Sequence, residues 1–562
     1  MNLVASGVGF GYPGIPVFEH LDFCASKGMR IGVVGENGTG KSTLLALLAG
    51  KLTPVKGTVR RKGTLAIVEQ EFEPTPGQTI GDLVQTALSE VRKLAADLEV
   101  AAQRLATEGD IDEVSNILAK AEHLRAWDAD RRIDESLTRF KAPRDFDRPL
   151  ETLSVGERYR VRLACRLAEQ ADFLLLDEPT NHLDQAGIEY LTARLQQWYG
   201  GIVLVTHDRE LLDDVATAIF DLNPSIDGKP MLYGKPGYEN YRKAKAEALK
   251  RWRSRYVREQ KRTGELLATL DASYEGLSDE WRPPKGSEKH RRGTRARQHV
   301  KNADRQLIKL EAEAVPIPEP PMELAFPDLP PFIYPPGFET APSASSTIGV
   351  PQQEAQCPTM TVSDPAVIGS EGYTRLDLRG ETIEIAPGGR LLVVGPNGSG
   401  KSTLLSVMAG TLPLTSGIRS SASGLRLGIV GQENAELITA GIPTDKLTGF
   451  DAIENEILAL LSRGRIDPNQ VVPLLELGLL TEAELEKPVK DLSAGQRRRF
   501  ELAKVLVTAP QMLILDEPTN HLSIDLVDEL TKALDKTQAA VVIATHDRRM
   551  RKDLAHWPTL EL

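Results

Sequence analysis

Two eight-residue stretches, Gly35–Ser42 (GENGTGKS) and Gly395–Ser402 (GPNGSGKS), fit the pattern G-x-x-x-x-G-K-[ST] at every fixed position. Gly35, Gly38 and Gly40 in the first, and Gly395, Gly398 and Gly400 in the second, let backbone N–H groups approach phosphate oxygens closely, with Asn37 and Asn397 in the same loops. Lys41 and Lys401 reach for the β/γ phosphates, Ser42 and Ser402 offer a hydroxyl to Mg2+, and Thr43 and Thr403 follow in the helix start, whose positive end also attracts anions. Each pattern follows an apolar, strand-like run (Ile31–Val34, Leu391–Val394) and precedes a helix-like run (Thr43–Leu48, Thr403–Met408). That is the context a phosphate cradle needs. The residues point to nucleotide binding, twice.

Two further apolar runs, Phe173–Leu176 and Met512–Leu515, end in Asp-Glu, as buried parallel strands do. Asp177 and Asp516 are placed to hold a metal ion through water. Glu178 and Glu517, one residue beyond, are placed to orient or deprotonate an attacking water. His207 and His546 close the β-rich runs Ile202–Thr206 and Val541–Thr545, within reach of a γ-phosphate. A single histidine at a strand end is commonly a satisfied structural residue. The repeated T-H-D setting argues for a shared chemical role.

These pieces recur in one order, so the elements that position them are two copies of one domain. The phosphate loops are 360 residues apart, whereas LSVGE and LSAGQ, LLLDEPTNHL and LILDEPTNHL, and VTHDR and ATHDR are all 339 apart. The loss falls after Gln70 (VEQE) and Gln432 (VGQE), so copy one carries about 23 extra residues before its LSVGE. Ala, Leu, Glu and Arg at helical spacing predict a helical arm over about 83–140. The chain divides into 1–237, a linker over 238–315, and 316–562. From Arg242 to Lys309 there are 20 Lys/Arg against 9 Asp/Glu, in a protein whose net charge is −11. Tyr238–Leu270 and Lys289–Ala314 each read as a long helix, joined by a tip over about 271–287 containing Pro283 and Pro284. The Pro-rich run after Val315 reads as an extended lead-in to copy two.

Composition narrows the class. The chain of 562 residues is 41% hydrophobic and 26% charged, as globular proteins are. Cys24, Cys165 and Cys357 stand far apart, too few for a disulfide framework or a four-thiolate zinc site, which favours a reducing cytoplasm. No apolar run reaches the roughly 20 residues that cross a bilayer, and the N-terminus lacks a signal pattern.

The ordered set of phosphate loop, glutamine, LS-x-G-[EQ], DEPTNHL and T-H-D resembles ATP-binding cassette (ABC) ATPase domains, twice, over most of the chain. The resemblance implies an α/β fold with two P-loop cassettes in tandem. It implies ATP and Mg2+ as cofactors, with Gln70 and Gln432 contacting nucleotide and metal. It also implies head-to-tail pairing of the copies within one monomer. The nucleotide on Lys41 would then be shared with Ser493 and Gly495, and that on Lys401 with Ser154 and Gly156. Tyr12 would stack on adenine in copy one. In copy two only Tyr373 precedes the loop, poorly placed for that role. Two departures stand out: Val155 and Ala494 replace the first glycine of the signature, and NHLD ends in Ser523 in copy two where copy one has Asp184.

Tandem cassettes on one chain, NHL after each Asp-Glu pair, and LYGKPGYENY leading into a basic linker resemble the ABC-F family. That resemblance implies binding to the 70S ribosome, with the linker hairpin near 23S rRNA and peptidyl-tRNA, and neither a membrane nor DNA as partner. Arg251, Arg253, Arg255, Arg258, Lys261, Arg262, Lys289, Arg291, Arg292, Arg295 and Arg297 would meet RNA phosphate, and Tyr274 and Trp281 could stack on bases. The alternative for this segment is a solvated charged hairpin. Within the family two roles stay open: protection of the ribosome from antibiotics, favoured by the long tip, and regulation of elongation or rescue of stalled ribosomes. A transporter subunit is a remote third reading, since the basic linker has no part in it. The DNA-excision relatives are excluded by the missing cysteine clusters.

Overall fold

The computed structural model describes residues 1–36, 38–69, 74–108, 126–275, 320–334, 358–368, 374–396, 398–431, 447–464 and 466–562, with isolated positions between them. Each copy is built on a parallel sheet of the same order. In copy one the strands run 65–68, 173–177, 201–205, 30–34 and 218–221, with 231–233 added antiparallel at the edge. In copy two they run 427–430, 512–516, 540–544, 390–394 and 559–561. The central strands are buried on both faces, which is why they read as unbroken runs such as FLLLD and MLILD rather than as alternation. In both copies the phosphate-loop strand and the Asp-Glu strand flank the strand that ends before the histidine, so the chemical residues gather at one end of the sheet.

A smaller antiparallel sheet lies against each core, made of 2–12, 15–26 and 56–62 in copy one. Its counterpart joins 360–368 to 374–377, 382–385 and 416–421. It covers the phosphate-loop helix, burying Leu44, Leu45, Leu47 and Leu48 with Phe18, Leu21 and Phe23 in copy one. The opposite face of each parallel sheet is covered by helices, with Phe140, Tyr159 and Leu163 in the core of copy one and Phe500, Leu502 and Leu506 in that of copy two.

Copy one's arm contains the helices Ile80–Glu108 and Ala129–Arg139; most of 109–125 is outside the described residues. The matching helix in copy two, Gly449–Ser462, has 14 residues against 29, so the extra length lies in the arm. The first linker helix runs Tyr238–Glu275, 38 residues, or about 57 Å at 1.5 Å per residue. It continues five residues past Leu270, into the stretch expected to be tip. Asp271–Glu275 contains no helix breaker, and the first one met is Gly276. The second linker helix expected at 289–314 and the rest of the tip to 287 fall outside the described residues, apart from the helical Arg305. The proline-rich stretch 320–334 has no helix or strand. It lies along the linker helix: Trp252 Nε1 donates to the Pro318 carbonyl at 2.9 Å, and Arg253 pairs with Glu323. Among the described residues, no helix is long and apolar enough to cross a membrane.

Candidate functional site

Both phosphate loops turn through left-handed glycines. Gly40 has φ 93° and Gly400 φ 101°, a left-handed backbone that glycine alone adopts without strain. A Cβ on Gly40 would lie 2.5 Å from Val17 Cγ1 and 2.6 Å from Phe18 Cζ, so the loop and the small sheet fit only with hydrogen there. Lys41 Nζ folds back to the carbonyls of Gly35 (2.8 Å) and Glu36 (3.0 Å), and Lys401 Nζ to those of Gly395 and Pro396 (both 2.9 Å). Burial lowers the Lys41 pKa, opposed by the negative charges of Glu178 and Asp177. Asn37, Asn397, Gln70 and Gln432 lie outside the described residues.

Ser42 hydrogen-bonds Asp177, and Ser402 hydrogen-bonds Asp516. Both aspartates are buried, which raises their pKa, and among the described residues no hydrogen bond reaches Oδ1 of Asp516. A hydroxyl and a carboxylate, with one buried oxygen left over, suit a hard cation that completes its shell with water and phosphate. Among the described residues no cluster of three or more His, Cys, Asp or Glu could cage a metal.

The two glutamates share an unusual backbone. Glu178 has φ 48° and Glu517 φ 46°, each held by an N–H donated across the sheet, to Val205 and Ala544 respectively, at 2.9 Å. Such conformations are strained for a non-glycine residue and persist where the surroundings fix them. In each copy the glutamate Oε2 accepts the backbone N–H of the histidine, at 3.3 Å from His207 and 3.2 Å from His546. The side chains differ. His546 Nδ1 lies 2.7 Å from Glu517, and that hydrogen bond raises its pKa. His207 Nε2 lies 3.4 Å from Glu178; burial, with Lys41 and His521 nearby, lowers it to about 3. Burial beside Asp177 pushes Glu178 up to about 8. Behind them, Arg498 donates to the carbonyls of Asp516 (2.9 Å) and Glu517 (3.0 Å), where copy one has Tyr159 reaching the Glu178 carbonyl at 3.4 Å.

Ser154 and Ser493 each cap a helix, Val155–Ala168 and Ala494–Val507, through capping boxes with Glu157 and Gln496. Gly156, half-buried, and Gly495, buried, lie in the first turns, and the start of a helix attracts anions. Neither Val155 nor Ala494 disturbs the cap. The structure brings the first phosphate loop and the second signature together: Glu36, Thr39, Ser493, Gly495, Gln496 and His521 line one cavity of about 1130 Å³. Arg499 reaches to 3.9 Å from Glu36 across it. Ser154 and Gly156 do not line this cavity. Tyr12 stands half-exposed at a strand end beside Phe10, whose partner Phe18 covers Gly40. Tyr373 is outside the described residues.

Sequence reasoning missed His521 and the arginines Arg209 and Arg548. His521, at φ 60°, belongs to copy two yet lies near His207 of copy one. Arg209 and Arg548 reach across to the opposite copy's Asp547 (2.9 Å) and Asp208 (2.7 Å). Their signal was present in the repeated TNHL and THDR, which carry these residues at the same offset in both copies.

The ABC transporter family model matches residues 18–181 and 378–520. Tylosin resistance ATP-binding protein TlrC of Streptomyces fradiae is 33% identical over 567 residues, covering 98% of this chain and 95% of the relative. Energy-dependent translational throttle protein EttA of Mycobacterium tuberculosis is 28% identical, covering 95% of this chain and 86% of its own. Ribosome protection protein VmlR of Bacillus subtilis is also 28% identical, covering 95% and 81%.

Proposed function

We propose a function from one established premise: this chain belongs to the ABC-F family of tandem ATP-binding cassette ATPases. It is a cytoplasmic, ribosome-binding factor whose ATP-driven closure sets the pose of the linker hairpin beside peptidyl-tRNA, and it protects the ribosome from antibiotics. The observation that carries this reading is the 38-residue linker helix rooted between the two copies. Arg251, Arg255, Arg258, Lys261 and Arg262 stand exposed along it, a phosphate-seeking face on an otherwise acidic protein. The relatives named for tylosin resistance and for ribosome protection support the same reading.

In the cycle, Lys41 with Ser493 and Gly495, and Lys401 with Ser154 and Gly156, clamp two ATP molecules, and Tyr12 stacks on one adenine. Asp177 and Asp516, with Ser42 and Ser402, would hold Mg2+, which would offset charge on the transferring phosphate, and Gln70 and Gln432 would be further ligands. Glu178 and Glu517 orient the water, His207 and His546 contact the γ-phosphate, and loss of that phosphate releases the clamp.

The test is a Glu178→Gln, Glu517→Gln double variant incubated with ATP and 70S ribosomes. Co-sedimentation supports the reading, and a variant left at the top of the gradient overturns it. Expression in a sensitive bacterium, tested against macrolides, lincosamides, streptogramins, pleuromutilins and phenicols, then separates the roles. Shortening Asp271–Gly286 should abolish any protection while leaving ATPase activity largely intact. The second reading, a factor that regulates elongation or rescues stalled ribosomes, is favoured by the translational throttle relative. Resistance to none of these drugs selects it.

A further inference from the structure

Three side chains at the root of the linker helix, Tyr238, Tyr241 and Lys245, join three parts of the molecule. Lys245 Nζ lies 2.6 Å from Asp221, at the end of a copy-one strand, and 2.6 Å from Asp525, in the first turn of the copy-two helix Ile524–Lys536. Tyr241 donates to the same Asp221 at 2.8 Å, and Tyr238 donates to Asp528 at 3.0 Å. Asp528 also receives Arg209 from copy one. Lys245 is 11% exposed, Asp221 4% and Asp528 9%, while Asp525, at 38%, closes the cluster on its solvent side. Charges so enclosed hold their geometry, because losing one partner strands the other away from water.

The copy-two side of this junction starts in the first nucleotide site. His521 stands near His207 and lines the cavity shared by the first phosphate loop and Ser493. Two residues later Ser523 caps the helix, accepting the Leu526 N–H, and Asp525 and Asp528 follow on its first turns. A shift of the His521 segment against the first site therefore moves the two carboxylates that hold the linker root.

Among the described residues, copy one has no such arrangement. At the 339-residue offset, Asp525 corresponds to Ala186 and Asp528 to Glu189 on the helix Gln185–Gln196. Both are exposed, and Glu189 accepts from Gln185 on its own helix at 2.9 Å. The repeat is symmetric in its ATP motifs and asymmetric here.

We infer that Asp525, Asp528, Lys245 and Tyr238 are positioning residues that tie the linker's posture to one nucleotide site, that of Lys41, Glu178 and Ser493, and not equally to the other. The inference rests on the reading of the cassettes as an ATP-closed clamp, and it deepens that reading by dividing the labour. The first site sets the linker, and the second contributes to closure.

The experiment is hydrogen–deuterium exchange on the purified full-length Glu178→Gln chain with Mg-ATP, without ribosomes or drugs. Two segments are read: the linker root, 238–262, and the signature helix, 494–507. ATP should slow exchange in both by about tenfold. Asp525→Ala, which installs the copy-one residue, should keep the protection at 494–507 and lose it at 238–262. Lys245→Arg should restore most of what Lys245→Met loses. Tyr238→Phe, the mildest change, should give a smaller loss at the root alone, and Glu189→Ala should change neither segment. Lys41→Met should abolish root protection, and Lys401→Met should retain at least half. Root protection that survives Asp525→Ala and Tyr238→Phe, or an equal loss with Lys41→Met and Lys401→Met, overturns the inference. Failure of ribosome binding would leave these readouts unmoved, so the two proposals fall separately.

Discussion

Arg209 donates to Asp547 at 2.9 Å, and at the matching place in the other copy Arg548 donates to Asp208 at 2.7 Å. Each arginine follows the Thr-His-Asp of its own copy and each aspartate is the one inside the opposite Thr-His-Asp. The residues beside the two histidines therefore bind each other across the pseudo-two-fold axis. Asp208 and Asp547 also cap the helices Arg209–Val215 and Arg548–Asp553, so each carboxylate is held by its own copy as well as its partner.

This crossing makes a graded stability prediction. Arg209 is 1% exposed and pairs with Asp528 and Asp547, whereas Arg548, which pairs with Asp208 at 2.7 Å and with Glu210 at 3.6 Å, is 13% exposed. Arg209→Ala removes the closest cation from both Asp528 and Asp547, leaving Asp528 with Tyr238 and with Arg242 at 3.9 Å, and should lower unfolding free energy by about 3 kcal/mol. Arg548→Ala should lose less. Urea unfolding of the nucleotide-free chain reads both, and an Arg548→Ala loss equal to or larger than that of Arg209→Ala would refute the ranking.

Gly40→Ala should cripple the first phosphate loop. The new Cβ meets Val17 and Phe18, and the φ of 93° is strained for alanine. The combined penalty is on the order of 1–3 kcal/mol, enough to weaken ATP binding at that site by about tenfold or more. Gly38→Ala, with open space around its Cβ though a φ of 91°, should lose less. Equilibrium binding of a fluorescent ATP analogue, with the second site disabled by Lys401→Met, compares them.

The chemical ends of the strands were legible because short motifs fix local backbone. The glycines of GENGTGKS permit the left-handed turn, and FLLLD has the length and apolarity of a buried strand. The linker helix runs to Glu275, past the expected start of the tip at about 271, because proline and glycine mark where a helix must end, and turn-forming residues such as Asp271 and Ser273 do not force an earlier stop. Sequence gave no hint of the left-handed backbone at Glu178 and Glu517, since glutamate has no preference for it and the strand network imposes it. The Arg209–Asp547 contact needs two domains docked face to face, which spacing along one chain does not encode. The repeat of THDR marked the residues without saying what they touch. Gln70, Gln432 and most of the tip, all expected to contact nucleotide or RNA, lie outside the described residues.

The two water-orienting glutamates should be separable. Glu178 is buried and raised to about 8 by burial beside Asp177, while Glu517 is braced by His546 at 2.7 Å. Removing either carboxylate should cut turnover at its own site by about 10²–10⁴-fold while ATP still binds. Single-turnover hydrolysis in Glu178→Gln isolates the second site, and Glu517→Gln the first. Turnover at the first site should rise with pH between about 6 and 8, as Glu178 loses its proton. A first-site rate that is flat over that range would refute the role given to Glu178.

The histidines should respond to pH with opposite sign in the nucleotide- and magnesium-free chain. His207 is lowered from 6.5 to about 3, so the folded chain keeps it neutral. Below about pH 6.5 the unfolded chain takes up a proton that the folded chain refuses, and stability falls as pH drops. His207→Gln abolishes that loss, so the variant's melting temperature should rise relative to the parent between about pH 7 and 5. His546 is raised by its hydrogen bond to Glu517. Its contribution is fully present below the unfolded value and fades as pH climbs through the raised folded value. His546→Gln should therefore lower the melting temperature most near about pH 5.5 and least near about pH 9. The half-exposed ring makes this effect small, so the comparison depends on the opposite slopes of the two variants. Equal slopes would mean that the two histidines share one environment, contrary to their contacts with Glu178 and Glu517.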